Sequence, residues 1–181
     1  MAQTFNNPDG TAINTSGLMV PSTVTGGNKG VGTINATQIY QNGTALMTVG
    51  TWTPAITFST PGNLNVVYSL QEGNHVQIGS LLTATFGLST TTFTHSTAAG
   101  NLQITGLPFP NVNPTGTRGG ALTWSGITKA GYTQIALTIT SSSLMQLTAS
   151  GSGLSTSNVG TADAPSGGNL DLRGTVSYFI A

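Results

Sequence analysis

The sequence has no cysteine and only eight formally charged side chains in 181 residues. Without cysteine there is no disulfide scaffold and no thiolate metal site. The charges are Lys29, Arg118, Lys129 and Arg173 against Asp9, Glu72, Asp163 and Asp171. They make up 4% of the chain, where a globular protein carries about 25%. Four scattered cations form no patch that could displace phosphate counterions, which excludes nucleic acid as a partner. No apolar run approaches the roughly 18–20 residues of a membrane span. The start, Met1-Ala2-Gln3-Thr4-Phe5-Asn6, lacks the basic and apolar regions of a secretion signal. Disorder would need high net charge and few apolar residues, yet the net charge is zero and 37% of residues are apolar.

What fills the chain is hydroxyl and glycine: 49 Ser and Thr together, and 25 Gly. Strand edges are normally kept from pairing with other chains by Lys, Pro or inward charges. Little charge is available here for that task, and a net charge near zero favours association. The expectation is an obligate oligomer that buries its edges between subunits.

Two regions differ in pattern. Residues 1–50 are rich in Gly, Thr and Asn, with turn signals at Asn7-Pro8-Asp9-Gly10, Gly26-Gly27-Asn28-Lys29-Gly30 and Asn42-Gly43. They read as an extended arm, with one hairpin of Gln38–Gln41 and Thr44–Met47 around Asn42-Gly43, a pair that tolerates the positive φ of a type I′ turn. From residue 51 onward the period becomes two. Trp52, Ile56 and Phe58 share one parity, and Val76, Ile78, Leu82, Ala84, Phe86 and Leu88 read as one long strand. Further alternating sets are Leu102 and Ile104; Ile135, Leu137 and Ile139; Met145, Leu147 and Ala149; and Leu170, Leu172, Val176, Tyr178 and Ile180. Asp171 and Arg173 fall on the opposite face of that last strand, placed to pair. Turn signals at Gln71-Glu72-Gly73-Asn74, Asn111-Val112-Asn113-Pro114 and Pro165-Ser166-Gly167-Gly168 bound these runs. No window carries a sustained helical stripe. Roughly six to nine strands in residues 51–181 predict an all-β fold, an antiparallel β-sandwich or jelly-roll-like domain.

The inventory for catalysis is thin. His75 and His95 have no second His or carboxylate at ligand spacing, so no metal site is expected. The nucleophile elbow G-x-S-x-G is absent. Glu72, Asp163 and Asp171 could supply the paired carboxylates of a glycosidase, but a turn role for Asp163 and a partner in Arg173 for Asp171 are simpler readings. Gly26–Thr33 fails the phosphate-loop pattern, because Lys29 is followed by Gly30 rather than Ser or Thr. Sequons at Asn14, Asn35 and Asn42 are expected by chance in so Asn- and Thr-rich a chain. No enzyme activity and no cofactor are expected. For ligand binding the candidates are Trp124, Tyr132 and Arg118, since sugars stack their C–H faces on rings while polar groups take the hydroxyls. Core or subunit contact is the plainer reading of Trp124, and core that of Trp52.

Taken in order, Gly50-Thr51-Trp52-Thr53-Pro54-Ala55-Ile56-Thr57-Phe58, Tyr68, Glu72-Gly73-Asn74-His75-Val76-Gln77-Ile78-Gly79, Ile104-Thr105-Gly106-Leu107-Pro108-Phe109 and Gly174-Thr175-Val176-Ser177-Tyr178-Phe179-Ile180 resemble the C-terminal β-domain of tailed-bacteriophage tail fibres and tailspikes. The match covers about residues 50–181, loosely over 111–165. Gly27–Ala36 and Tyr40-Gln41-Asn42-Gly43 are similar to phage stalk segments. The resemblance implies an intertwined homotrimer, a virion location, attachment to other virion proteins through residues 1–50, and an outward domain (51–181) that engages host-surface saccharide. The short stretch before the domain suggests a short fibre. The alternative is a head fibre, neck or capsid decoration protein with an assembly role and no receptor, whose arm adds strands to a partner's sheet. A polysaccharide depolymerase is a third reading.

Overall fold

The computed structural model describes residues 39–41, 44–112, 118–140 and 143–181, together with the short strands at 5–6, 12–13 and 19–20. Gly27–Ala36, the Asn42-Gly43 turn and the three sequon asparagines lie outside the described residues. Every described element is a strand. The chain divides into two units, Met1–Ala45 and Leu46–Ala181.

In the first unit, β1 (Phe5–Asn6), β2 (Ala12–Ile13) and β3 (Met19–Val20) pair in order as an antiparallel sheet. The expected hairpin is present: β4 (Tyr40–Gln41) pairs antiparallel with β5 (Thr44–Ala45).

The second unit is one ten-stranded antiparallel sheet curled into a half-barrel. Its strands are β6 (Met47–Thr51), β7 (Ala55–Thr60), β8 (Asn65–Ile78), β9 (Leu81–Thr94), β10 (Ala99–Thr105), β11 (Arg118–Ser125), β12 (Gln134–Ile139), β13 (Leu144–Ser150), β14 (Ser157–Asn158) and β15 (Asp171–Phe179). The order is β6-β8-β9-β15-β11-β12-β13-β10-β7, with β14 beside β13. Period-two alternation puts one side chain of each pair into the hollow. Phe58, Phe93, Leu102, Ile104, Leu137, Met145, Leu147, Leu172 and Tyr178 are all at most 1% exposed there. Trp52, Ile56, Ile135, Leu170 and Ile180 join the same core, as their parity predicts.

The sheet's two end strands, β6 and β7, are consecutive in the chain, joined by Trp52-Thr53-Pro54. Side chains close the gap that the ladder leaves open. The Tyr68 hydroxyl accepts the Ile56 N–H at 2.7 Å, and the Gln71 amide donates to the Pro54 carbonyl at 2.9 Å. The Trp52 indole N–H is shared between the carbonyls of Thr85 (3.1 Å) and Asn74 (3.3 Å). A Cβ on Gly73 would stand 2.6 Å from the indole nitrogen, so only glycine lets the ring lie there. Gly106 packs under the Thr53 carbonyl, and the Tyr178 hydroxyl donates to the Phe109 carbonyl at 3.0 Å. Burial pushes the Tyr178 phenol up to about 12 and raises that of Tyr68.

Two expectations are corrected. Gln71-Glu72-Gly73-Asn74 is no turn but the middle of β8, and its glycine serves the Trp52 contact. The long strand of even parity is instead a hairpin that turns at Gly79-Ser80, where Ile78 pairs with Leu81. Gly79 takes φ +57°, and Ser80 does not share it, the pattern of a type II′ turn. A two-residue turn puts 78 and 81 on one face and 77 and 82 on the other. Val76 and Ile78 therefore face outward, 39% and 55% exposed, while Leu82 and Ala84 face the core.

Candidate functional site

The loop between β11 and β12 forms a cavity of about 160 Å³. Trp124, the penultimate residue of β11, and Tyr132 both line it. Ile127 and Ile135, nearly fully buried, make an apolar floor, while Thr128, Lys129 and Gln134 supply polar groups at the wall. Trp124 pairs with Leu172 across the sheet, a core residue, so its ring stands on the inner face and is half-buried.

Long-range contacts hold the loop. Thr128 N–H donates to the Asp163 carbonyl at 2.9 Å. The Lys129 ammonium donates to Asp163 Oδ2 at 2.7 Å, with side-chain exposures of 16% and 17%. The same Oδ2 accepts the Gly160 N–H at 2.8 Å. Lys129 Nζ lies 5.9 Å from the Tyr132 ring centre, and the Tyr132 hydroxyl donates to the Ser155 carbonyl at 2.9 Å. Lys129 and Tyr132 are thus oriented by groups outside the cavity.

Of the sequence candidates, Trp124 and Tyr132 come together. Arg118 does not join them along the sheet: it begins β11, opposite Ile139, about 20 Å of strand from Trp124. Lys129, Gln134 and Thr128 were not anticipated. The signal for Lys129 is its place in Thr128-Lys129-Ala130-Gly131-Tyr132, two residues after which Gln134–Ile139 starts to alternate.

The carboxylates are dispersed. Asp163 is held by Lys129 and Gly160. Asp171 is ion-paired to Arg173 at 3.1 Å, as the strand pattern predicts, and accepts the Ser89 hydroxyl at 3.0 Å. The Arg173 hydrogen bond is the main reason the Asp171 carboxyl is shifted below its ordinary value. Glu72 lies beside this pair on the outer face, opposite Gly87. A shallow groove of about 370 Å³ runs past Arg173, lined by Thr85, Ala121, Thr123 and Thr175. His95 packs between Phe58 and Phe93 (ring centres 5.0 and 5.3 Å), and His75 meets Phe109 edge-on at 5.6 Å. Among the described residues, no three His or acidic side chains could hold a metal ion.

A second feature lies at the other end of the sheet. Opposed residues of antiparallel strands share a face. Met47, Ile78, Leu81 and Phe179 therefore form one outward row, and Val49 and Val76 lie in the next. All six are exposed, Val49 by 71%. On β6 and the end of β8 two inward positions are polar, and Thr48 donates to Gln77 at 3.3 Å.

No protein family and no curated protein matches the sequence. Among solved structures the chain is similar to the Dettilon tailspike protein, with a TM-score of 0.47, 14% identity and coverage of 72% of this chain and 23% of that one. The chain thus spans less than a quarter of the tailspike's length. No helix among the described residues is long and apolar enough to cross a membrane.

Proposed function

We propose that the chain is a subunit of a bacteriophage fibre: a homotrimeric virion part, attached to other virion proteins through residues 1–50, whose β-domain contacts host-surface saccharide without cleaving it. The observation that carries this reading is the outward apolar row at the sheet's rim. Val49, Val76, Ile78 and Leu81 form a contiguous apolar surface with no described charge among them. Apolar patches of this kind mark contact surfaces. The β6 edge beside it has no strand on its outer side among the described residues, and side-by-side copies would cover both.

The virion assignment rests on the motif order that resembles tail fibres and tailspikes. Its residues meet at the closure of the half-barrel: Trp52 on Gly73, Pro54 on Gln71, Ile56 on Tyr68, Gly106 under Thr53 and Phe109 on Tyr178. A shared motif that builds one junction supports a shared architecture. The saccharide assignment rests on the Trp124–Tyr132 cavity, whose rings, floor and charge-matched polar wall suit a sugar's mixed surface. Three copies per fibre would raise weak single-site binding by avidity.

The purified protein should sediment as a trimer, bind host cells and compete with phage for adsorption. Trp124→Ala should weaken cell binding at least about tenfold with the mass unchanged. Incubation with host polysaccharide should release no new reducing ends. A trimer that neither binds cells nor blocks adsorption contradicts the reading.

A further inference from the structure

We propose that the Trp124–Tyr132 cavity takes an uncharged sugar ring and rejects an acidic one, and that the Lys129–Asp163 pair sets this choice. The inference rests on the saccharide reading above and adds the chemical class of the ligand. At about 160 Å³ the cavity is well below the roughly 300–1,000 Å³ of a drug-sized site, which suits one ring rather than an oligosaccharide. Among the described residues that line it the cation is Lys129, and that charge is already matched: the ammonium sits 2.7 Å from Asp163 Oδ2, with both side chains less than one-fifth exposed.

Asp163 cannot readily yield its partner. Its Oδ2 also accepts the Gly160 N–H at 2.8 Å, and the Thr128 N–H anchors to its carbonyl at 2.9 Å, so the carboxylate is fixed in the turn behind the wall. A sugar carboxylate that recruited Lys129 would leave Asp163 largely buried with one donor, a loss that a new rim ion pair does not recover. If Lys129 stayed on Asp163, the pair would offer the anion a dipole in place of a net charge, too little to offset the desolvation of the sugar carboxylate. The remaining wall groups, the Gln134 amide and Thr128 hydroxyl, match sugar hydroxyls or an acetamido group. The Tyr132 hydroxyl, bound to the Ser155 carbonyl, keeps the ring standing as a stacking surface.

The test titrates the full chain with methyl glycosides of glucose, N-acetylglucosamine and glucuronic acid, followed by the indole N–H resonance of Trp124. The expected result is saturable binding of a neutral glycoside and about tenfold or weaker binding of the glucuronide. Asp163→Asn, which frees the ammonium, should tighten the glucuronide about tenfold. A second measurement needs no variant: because the ammonium is already matched by Asp163, glucuronide affinity of the unaltered chain should change by less than about twofold between about 50 and 500 mM salt. Glucuronide binding as tight as neutral binding in the unaltered chain overturns the charge inference and leaves the saccharide reading standing. So does a glucuronide affinity that rises about tenfold as salt falls, which would mean that the ammonium is free to pair with the sugar. If no glycoside moves the Trp124 signal, the saccharide reading falls, and this inference with it.

Discussion

The closed part of the half-barrel and its rim are built from the same strands with opposite polarity. Around Phe58, Leu102, Leu137 and Leu172, apolar side chains point inward and hydroxyls point out. At the rim, where β6 meets the second half of β8, Thr48 and Gln77 point inward and Val49, Val76 and Ile78 point out. The inversion begins at Gly79-Ser80, because a two-residue turn exchanges odd and even positions between the strands it joins. The first arrangement stabilises one chain. The second stabilises that chain only when something covers it. A protein with eight charges has few means of keeping such a rim soluble alone, which is why the rim reads as an assembly surface.

Variants should separate the two regions, and the largest effect belongs to the core. Phe58 is 1% exposed, with Phe93 and His95 against its ring, so Phe58→Ala should cost about 3–5 kcal/mol in denaturant unfolding. Alkaline pH acts on the same core. The folded Tyr178 phenol lies near 12 against an ordinary 10.0, so its stabilising contribution is complete below pH 10 and is lost as pH rises towards 12. Unfolding free energies measured from pH 9 to 12 should fall by roughly 1–2 kcal/mol. In Tyr178→Phe the decline should be markedly shallower. At the junction, Gly73→Ala drives a methyl into the Trp52 indole and should cost about 1–3 kcal/mol, with a change in indole emission as the ring shifts.

The rim should respond in the opposite sense. Ile78→Thr and Leu81→Thr remove exposed apolar atoms, so the unfolding free energy of a single chain should change by about 0.5 kcal/mol or less, while association weakens in sedimentation. A rim substitution as costly to the single chain as Phe58→Ala would erase the distinction between the two regions.

Much of the closed part was legible in the sequence because a half-buried strand announces itself by period two. Trp52, Ile56 and Phe58, the Ile135 and Met145 runs, and the final strand from Leu170 to Ile180 all face as their parity predicts. The Asp171–Arg173 pair followed from two charges two residues apart on one strand face. Glycine was the ambiguous letter. Gly73 looked like a turn and is a seat for an indole, while Gly79 looked like strand and is the turn; both need space or a positive φ, and local sequence does not say which. The turn at Gly79-Ser80 puts Val76 and Ile78 on the surface, where even parity alone places them in the core. In the candidate site, Trp124 and Tyr132 are close in sequence and were visible as a pair of rings. The partner that sets the electrostatics of the cavity, Asp163, lies 34 residues from Lys129 and is brought there only by the fold.

The central claim is that the outward apolar rim joins copies of this chain. Sedimentation equilibrium of the full chain beside Ile78→Lys/Leu81→Lys, with far-UV circular dichroism on both, tests it most directly. The account predicts a trimer for the unaltered chain and a folded species of single-chain mass for the variant. An unaltered chain that stays monomeric and folded, or a variant that remains trimeric with two lysines on the rim, would contradict it.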